Sequence, residues 1–548
     1  MRHEILFAIA TFFIFAFAAN AQEDLPAEQV EVIKNFEVQL EETEKIPLNP
    51  VLPPLDTTTK KQTYLVPSRN FPVEYPAPKI RPIAMKAEDL AKVYNAYVKL
   101  GAGLPRTFYG EGAYHAFVNE KYDLGLDANF HAANFSGSSV ENQKFSRGGV
   151  HGRGTYYFDQ GFGVSANLGF DANKIHYFGY NFDGSDLKNI PDNRVEQLYN
   201  TFDIGAKIFN KEATAADLDY QAGLNFYNRN DNFAASESGV DINAGGTKWI
   251  GKTNSFDIRL KADFTWYEDT LKQNLNNYYV QPAFTYRADR FKAKIGLNVA
   301  ADENDIYVFP DIEASLNITG SELVVFAGAG GDLQKNTFRT LSDYNPYINS
   351  RYPSLIIKNT KYYNIYGGIR GNLKVLDYSV QLGYKNADNL ALFVVDDAVV
   401  DSVQRKFAVL YDDVNIVNVR GTIKANIIEG LEIIGTASYN FHDPDNEVKA
   451  WHLPALEINS TAIYTIPDEQ LRLKASFYVE SGPPFRLPNG EHDNLNTLVD
   501  LSIGAEYFVS ENIGFFLDIN NIFDNERQRW RYYPTYGINV LVGATARF

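Results

Sequence analysis

Apolar and polar side chains alternate along this chain with a period of two, in runs longer than soluble strands usually reach. Between Phe256 and Trp266 the residues Phe256, Ile258, Leu260, Ala262, Phe264 and Trp266 fall on one face of an extended strand, and Asp257, Arg259, Lys261, Asp263 and Thr265 fall on the other. The same division recurs at Leu124, Leu126, Ala128 and Phe130 against Asp123, Asp127, Asn129 and His131. It returns at Val417, Val419, Ile423, Ala425 and Ile427 against Asn418, Arg420, Thr422, Lys424 and Asn426, and at Leu471, Leu473, Ala475, Phe477 and Val479 against Arg472, Lys474, Ser476 and Glu480. One face suits lipid and the other suits water. These runs extend for about 9 to 13 residues, the length of a tilted membrane crossing, where a sandwich strand spans about 5 or 6.

Links between the runs alternate short and long. Tight links stand at Asn119-Glu120-Lys121, Asp159-Gln160-Gly161, Arg287-Ala288-Asp289, Asn317 to Ser321, Leu373 to Asp377, Ile428-Glu429-Gly430, Pro467-Asp468-Glu469 and Ser510-Glu511-Asn512. Longer ones lie between, at Ser136 to Phe145, Tyr177 to Arg194, Leu333 to Thr360, His442 to Leu453, Ser481 to Asn496 and Asp524 to Pro534. The pattern predicts an all-β fold: a transmembrane antiparallel up-and-down β-barrel of about 22 strands, with tight turns and both barrel ends on the periplasmic side. Ala391 to Asp413 reads either as an additional hairpin or as extensions of two long strands.

Composition agrees with strands and turns. The 548 residues include 35 Tyr, 38 Phe and 39 Gly, and no apolar run after the amino-terminal segment approaches the roughly 20 residues of a membrane helix. A net charge of −17 opposes nucleic acid as a partner, since phosphate backbones call for a basic surface. No cysteine is present, which excludes a lipidated amino-terminal cysteine, disulfides and thiolate chemistry.

Three regions follow. Residues 1–21 read as a signal peptide: Arg2 and His3 precede an apolar run from Ile5 to Ala18 that closes on Ala19-Asn20-Ala21. Residues 22–93 form a short extended Pro-rich leader, periplasmic or lumen-occupying, with ten prolines from Pro26 to Pro82 and an acidic run at Glu41, Glu42 and Glu44. Within it Gln29 to Leu40 suits one strand or one helix, and Lys86 to Tyr94 suits a brief helical turn. Residues 94–548 form the barrel.

In the carboxyl segment Tyr536, Ile538, Val540, Val542, Ala544, Ala546 and Phe548 share one parity, as in a closing strand that ends on an aromatic. The stretch FFLDINNIFDNERQRWRYYPTYGINVLVGATARF resembles the last two strands of TonB-dependent receptors, through Asn520, Asn521, Ile522, Phe523 and Asp524, then Tyr532, Tyr533 and Pro534, and finally Phe548. The resemblance covers about four-fifths of the chain and implies a barrel of about 22 strands. It stops at the amino end, where the leader is too short and Pro-rich for a plug domain, and where Gln29 to Phe36 has the character of a TonB box but equally that of any exposed strand. It therefore implies a plugless relative, and an energising-complex partner is not carried over. Without a plug, a barrel this wide needs something in its lumen. The leader and the loop from Leu333 to Thr360 are the two candidates.

The expected function is transport or channelling of a solute across the outer membrane; the alternative is a non-transporting structural or assembly component. The expected partners are outer-membrane lipid and, through residues 22–93, other outer-membrane or periplasmic proteins. An enzyme is not expected, because the histidines on strands point inward, away from a lipid substrate. No catalytic, cofactor-binding or metal-binding residue and no cofactor are assigned. His115, His131 and His151 share lumen parity near Glu111, Asp127 and Arg153, yet differ in height, and polar lining explains them better than a metal site. Ala327-Gly328-Ala329-Gly330-Gly331 lies in an alternating strand with no following helix, so it reads as wall glycine and not as a phosphate loop. Asp443-Pro444-Asp445-Asn446-Glu447 lacks the spacing of a calcium loop and reads as an acidic turn.

Overall fold

A computed structural model describes residues 93–548 apart from 138–139, 213, 252, 398–402 and 467–469. The signal peptide, the leader with its segment Gln29 to Leu40, nearly all of the turn expected at Lys86 to Tyr94, and the tight link at Pro467-Asp468-Glu469 lie outside the described residues.

The wall strands run in chain order. They are β1 Ala96–Leu104, β2 Thr107–Val118, β3 Tyr122–Asn134, β4 Lys144–Tyr157, β5 Phe162–His176, β6 Glu196–Asn210 and β7 Leu218–Asp231. Next come β8 Ser236–Ile250, β9 Asn254–Glu268, β10 Asn277–Arg287, β11 Phe291–Ala301, β12 Ile306–Thr319, β13 Leu323–Asn336 and β14 Lys358–Leu373. The last are β15 Leu376–Val395, β16 Phe407–Ala425, β17 Leu431–Pro444, β18 Leu456–Ile466, β19 Leu471–Glu480, β20 Leu498–Phe508, β21 Ile513–Asn520 and β22 Asn539–Arg547. Each pairs antiparallel with the next, and β1 pairs with β22 from Tyr97↔Arg547 to Leu104↔Val540, closing a 22-strand barrel. Closure removes every unpaired sheet edge, the condition for a β-structure in hydrocarbon.

Alternation sorts the side chains as expected. Leu260, Leu126 and Val542 stand 46%, 52% and 52% exposed on the outer face, with Phe256, Ile258, Phe130, Val419 and Ile423 beside their own neighbours in the same band. This is a large β-barrel of the outer membrane, and its apolar band contacts lipid. No helix among the described residues is long and apolar enough to cross a membrane.

The end that carries both β1's start and β22's finish has tight turns. In the β2–β3 turn Asn119 and Glu120 adopt φ of 52° and 56°, and Gly161 takes φ 86° between β4 and β5, where a side chain would be strained. At the opposite, outer end the links include residues 135–143, 177–195, 337–357, 396–406, 445–455, 481–497 and 521–538. Not every outer link is long: Pro105 and Arg106 alone join β1 to β2, and residues 232–235 join β7 to β8. At the two ends of the stretch Ala391 to Asp413, Ala391–Val395 and Phe407–Asp413 belong to extensions of two long strands, β15 and β16, whose register shifts between Ala387 and Leu390. One expectation needs correction. Tyr536 has the parity of the lipid face, but it precedes β22 and stacks on Phe135 with ring centroids 4.7 Å apart, packing also against Phe145. Phe145 has lumen parity, opposite to the lipid-facing Val150 of the same strand, so Tyr536 belongs to the interior.

Candidate functional site

The outer loops do not stand free; several turn inward and bury a shared aromatic core. Its members come from residues 177–195, 337–357 and 521–538 and from Val403, together with lumen-facing wall residues such as Tyr199 and Tyr267. Tyr347 stacks on Tyr533 at 3.7 Å and 14°, Phe178 meets Tyr533 edge-on at 5.2 Å, and Trp530 packs against Phe393 and Phe407. Aromatic rings supply large apolar area with few rotors to freeze, so a small number of loops can form a dry core. Burial raises the Tyr347 and Tyr533 hydroxyls well above the ordinary tyrosine range.

The segment 337–357 lies at the centre of this cap. It opens with a short helix, Phe338–Tyr344, started by a capping box in which the Thr337 side chain accepts from the Thr340 amide while Thr340 Oγ1 accepts from the Thr337 amide. Pro346 follows the helix and cannot extend it. Phe338, Ile348 and Leu355 are fully buried. Past the helix the backbone runs beside Phe407, whose amide donates to Tyr347 O at 3.0 Å while Asn349 donates back to Phe407 O at 2.7 Å.

Polar groups of the wall hold the segment down. Glu237 on β8 is completely buried, and its carboxylate accepts from the amides of Phe338 at 2.6 Å and Arg339 at 3.2 Å and from the Tyr227 hydroxyl at 2.9 Å. Tyr199 Oη donates to Pro346 O at 2.8 Å, Tyr267 donates to Ser350 O, and Ser350 Oγ donates to Asp231 at 2.7 Å. Two ion pairs, Arg339 with Asp203 and Arg229 with Asp343, each measure 2.9 Å. The loop expected to fold inward does so, over residues 337–357 between strands that reach further than the sequence suggested.

Beneath the segment a chamber of about 250 Å³ opens on the lumen face. The strand register explains its lining: Asn129, Gly149, Asp171, Thr201 and Arg229 form one cross-strand row on β3 to β7, and His131, Arg147, Asn173 and Tyr199 form the next row outward. Arg339 and Asp343, four residues apart on the short helix, supply the roof. A Cβ at Gly149 would stand 2.3 Å from an oxygen of Asp171, so the absence of a side chain there keeps the row open. Elsewhere the lumen carries balanced charge, as where Lys261 lies 3.0 Å from Asp241 and 3.2 Å from Asp263.

The strand histidines do not converge. His115 meets Asp123 at 2.8 Å, His151 lies between Asp127 at 3.0 Å and Asp171 at 3.1 Å, and His131 is edged by the rings of Tyr109 and Phe145. No group of three or more His, Asp or Glu side chains among the described residues is arranged to hold a metal ion, Asp127 and Asp171 lying on the two different ring nitrogens of His151. The glycine run at 327–331 lies within β13, and the amides of Asn446 and Glu447 donate to Asp412, tying the acidic turn to β16. What sequence reasoning missed are Glu237, Arg229, Arg339 and Asp343. Strand parity marks the first two as lumen residues, but no local signal tells that a distant loop covers them.

A second contact sets a pH limit on the cap. His452, in the loop 445–455, is fully buried, donates from Nδ1 to Phe393 O at 2.7 Å, and lies against Phe407 and Trp530. Burial, with Arg529 and Arg531 nearby, pushes its pKa down from 6.5 to about 3. Because the exposed ring binds a proton below 6.5 and the packed ring does not, the packed form is at full strength above pH 6.5. It weakens by about 1.4 kcal/mol per pH unit as pH falls towards 3. Amide exchange in residues 445–455 should therefore quicken between pH 6.5 and 4.5, after correction for intrinsic rates, and His452→Phe should remove that acceleration.

No protein-family model matches the sequence. No curated protein matches it either. Solved structures do match. The FrpB iron transporter from Neisseria meningitidis superposes with a TM-score of 0.65 at 9% identity, over 84% of this chain and 82% of that one. The siderophore receptor PirA from Acinetobacter baumannii gives 0.62 at 9% identity, over 83% and 80%. The pyoverdine outer membrane receptor FpvA from Pseudomonas aeruginosa, bound to pyoverdine, gives 0.61 at 11% identity, over 83% and 78%. At such identities the likeness concerns architecture, and the described barrel has the fold of the TonB-dependent receptors of the outer membrane.

Proposed function

We propose that this protein is a gated transport barrel: a solute crosses the outer membrane through its lumen, and the segment 337–357 is the gate. The observation that carries the reading is the way the segment is held. Its core faces are apolar, shared with other loops and with the Tyr199 and Tyr267 rings on which Phe338 packs, and its polar attachment to β6 through β9 rests on a few contacts at Glu237, Tyr199, Tyr267, Arg229 and Asp203. Contacts of that kind can be exchanged for others without unfolding the wall, because β6 to β9 are hydrogen-bonded to their neighbours along their whole length. The structural neighbours include receptors and transporters, in keeping with carriage and not with catalysis.

Glu237→Ala tests the hold directly. It leaves the two helix amides and the Tyr227 hydroxyl without their buried acceptor, a loss of roughly 1–3 kcal/mol for the docked segment. The expected result is faster amide exchange over residues 338–345 with an unchanged strand content, and brief openings in planar-bilayer recordings. Exchange and current both equal to wild type would reject the gate. The alternative, a barrel that anchors an assembly, draws on the same closed mouth. It requires a partner that co-purifies after mild detergent extraction and a barrel that stays silent in all variants.

A further inference from the structure

The chamber beneath the gate is lined by three arginines, Arg147, Arg229 and Arg339. Arg229 has a side chain only 5% exposed, yet a single nitrogen, Nη1, meets both Thr201 at 3.2 Å and Asp343 at 2.9 Å. Its Nε and Nη2 are buried without a hydrogen-bond partner. The guanidinium lies over the Tyr199 ring at 4.8 Å and near the Phe338 ring at 5.9 Å, which offsets part of the cost of those unpaired donors, and the residue lines the chamber. Across the chamber Arg147 is exposed to the lumen, meets His131 at 3.4 Å and the Phe145 ring at 5.9 Å, and has no carboxylate partner among the described residues. Arg339 completes a set of three guanidiniums, with Asn129, Asn173 and Thr201 as neutral polar neighbours. Arg339 is paired with Asp203 and Arg229 with Asp343, while Asp171 is engaged by His151, so Arg147 is the guanidinium of the lining without a carboxylate partner among the described residues. Planar, forked donors converging from the wall and from the gate match an oxyanion better than any cation or apolar group.

We propose that this chamber binds a small oxyanion, the carboxylate or phosphate group of a transported solute, and that the bound anion displaces Asp343 from Arg229. The inference deepens the transport reading and rests on it for the word solute. The volume accommodates an oxyanion with some of its water, each water taking about 30 Å³. Arg229–Asp343 joins wall to gate, so an anion that takes Arg229 for itself weakens one of the contacts holding the segment 337–357. Occupancy and gating become two readings of one exchange: the anion gains a guanidinium, and the gate loses one.

The test uses the full-length protein in detergent micelles at low ionic strength, titrated calorimetrically with inorganic phosphate and, in parallel, with acetate. Saturable binding of phosphate alone, or of both, supports the site and distinguishes a phosphate from a carboxylate ligand. Arg147→Gln, an exposed position whose change should not disturb folding, is expected to weaken binding about tenfold or more, and Arg147→Lys to restore part of it. Asp343→Asn removes the internal competitor and should tighten binding several-fold. In the wild type, phosphate should quicken amide exchange over residues 338–345. Absence of saturable binding by either anion, or equal affinity in wild type, Arg147→Gln and Asp343→Asn, overturns the proposal. Binding is measured without any current, so a barrel that binds phosphate as expected yet never conducts would leave this site standing and remove the transport reading.

Discussion

Excising residues 337–357 and joining Asn336 to Lys358 through a short glycine-containing turn should turn a silent barrel into a conducting one. The graft is geometrically mild, because Asn336 and Lys358 are already cross-strand partners at the top of β13 and β14, where a two-residue hairpin turn fits. The wall keeps its register. The cap loses Phe338, Leu341, Ile348 and Leu355 from its core, and Tyr533 loses the ring of Tyr347 on which it stacks. Phe178, Val403, Trp530 and Tyr533 of the remaining loops lose the segment at the centre of their shared core. A lumen enclosed by 22 strands is far wider than the side chains of small barrels can fill, so its opening should register as a large, steady single-channel current. Cells producing the variant should also become sensitive to a bulky antibiotic that an intact outer membrane excludes. Unchanged current and unchanged sensitivity would place the barrier elsewhere than in this segment.

The second large effect is expected on the lipid face. Leu260 stands midway along β9, between Ala244 of β8 and Val280 of β10, all three directed into the bilayer. Leu260→Arg places a cation at that depth without a partner and should destabilise the barrel by about 2–4 kcal/mol. One residue earlier, Arg259 faces the lumen and makes no ion pair among the described residues, so Arg259→Gln should fall within about 0.5 kcal/mol of wild type. Reversible denaturant unfolding in lipid vesicles measures both. Equal costs at the two positions would contradict the assignment of faces.

That assignment was the most legible part of the sequence, for a physical reason. Lipid and water lie on opposite sides of a single layer of backbone, so each strand records its environment twice, once in Leu260 and Phe256 and once in Lys261 and Asp257. The tight links and the count of strands followed from the same record. Ala391 to Asp413 was ambiguous because the ends of β15 and β16 rise above the membrane and are covered on both sides. Leu392 and Val394 pack with Trp451, Phe393 packs with Trp530, and the alternation disappears. The cap was legible only as a long loop rich in Asn, Tyr and Ser. Its core joins residues as far apart as Tyr177, Tyr347 and Tyr533, and no period within any one loop reports such a meeting. Tyr536 shows the same limit, since parity continued past the true start of β22 sent it to the wrong side. Glu237 and Arg229 carried the correct parity but not their significance. A charged residue facing a lumen is ordinary until a loop removes it from water.

The seam between β1 and β22 has a consequence for biogenesis. Phe548 accepts at its carbonyl from the amides of Asn95 and Ala96 and donates to Ala96 O, so the two strands most distant in sequence lock the ring together. Every other neighbouring pair of wall strands is a local hairpin that can zip as the chain arrives, whereas this joint waits for all the rest. Until it forms, two ribbons of unsatisfied amides and carbonyls remain available to any passing strand. Insertion machinery or a periplasmic chaperone that shields those two margins would decide between a finished cylinder and an aggregate.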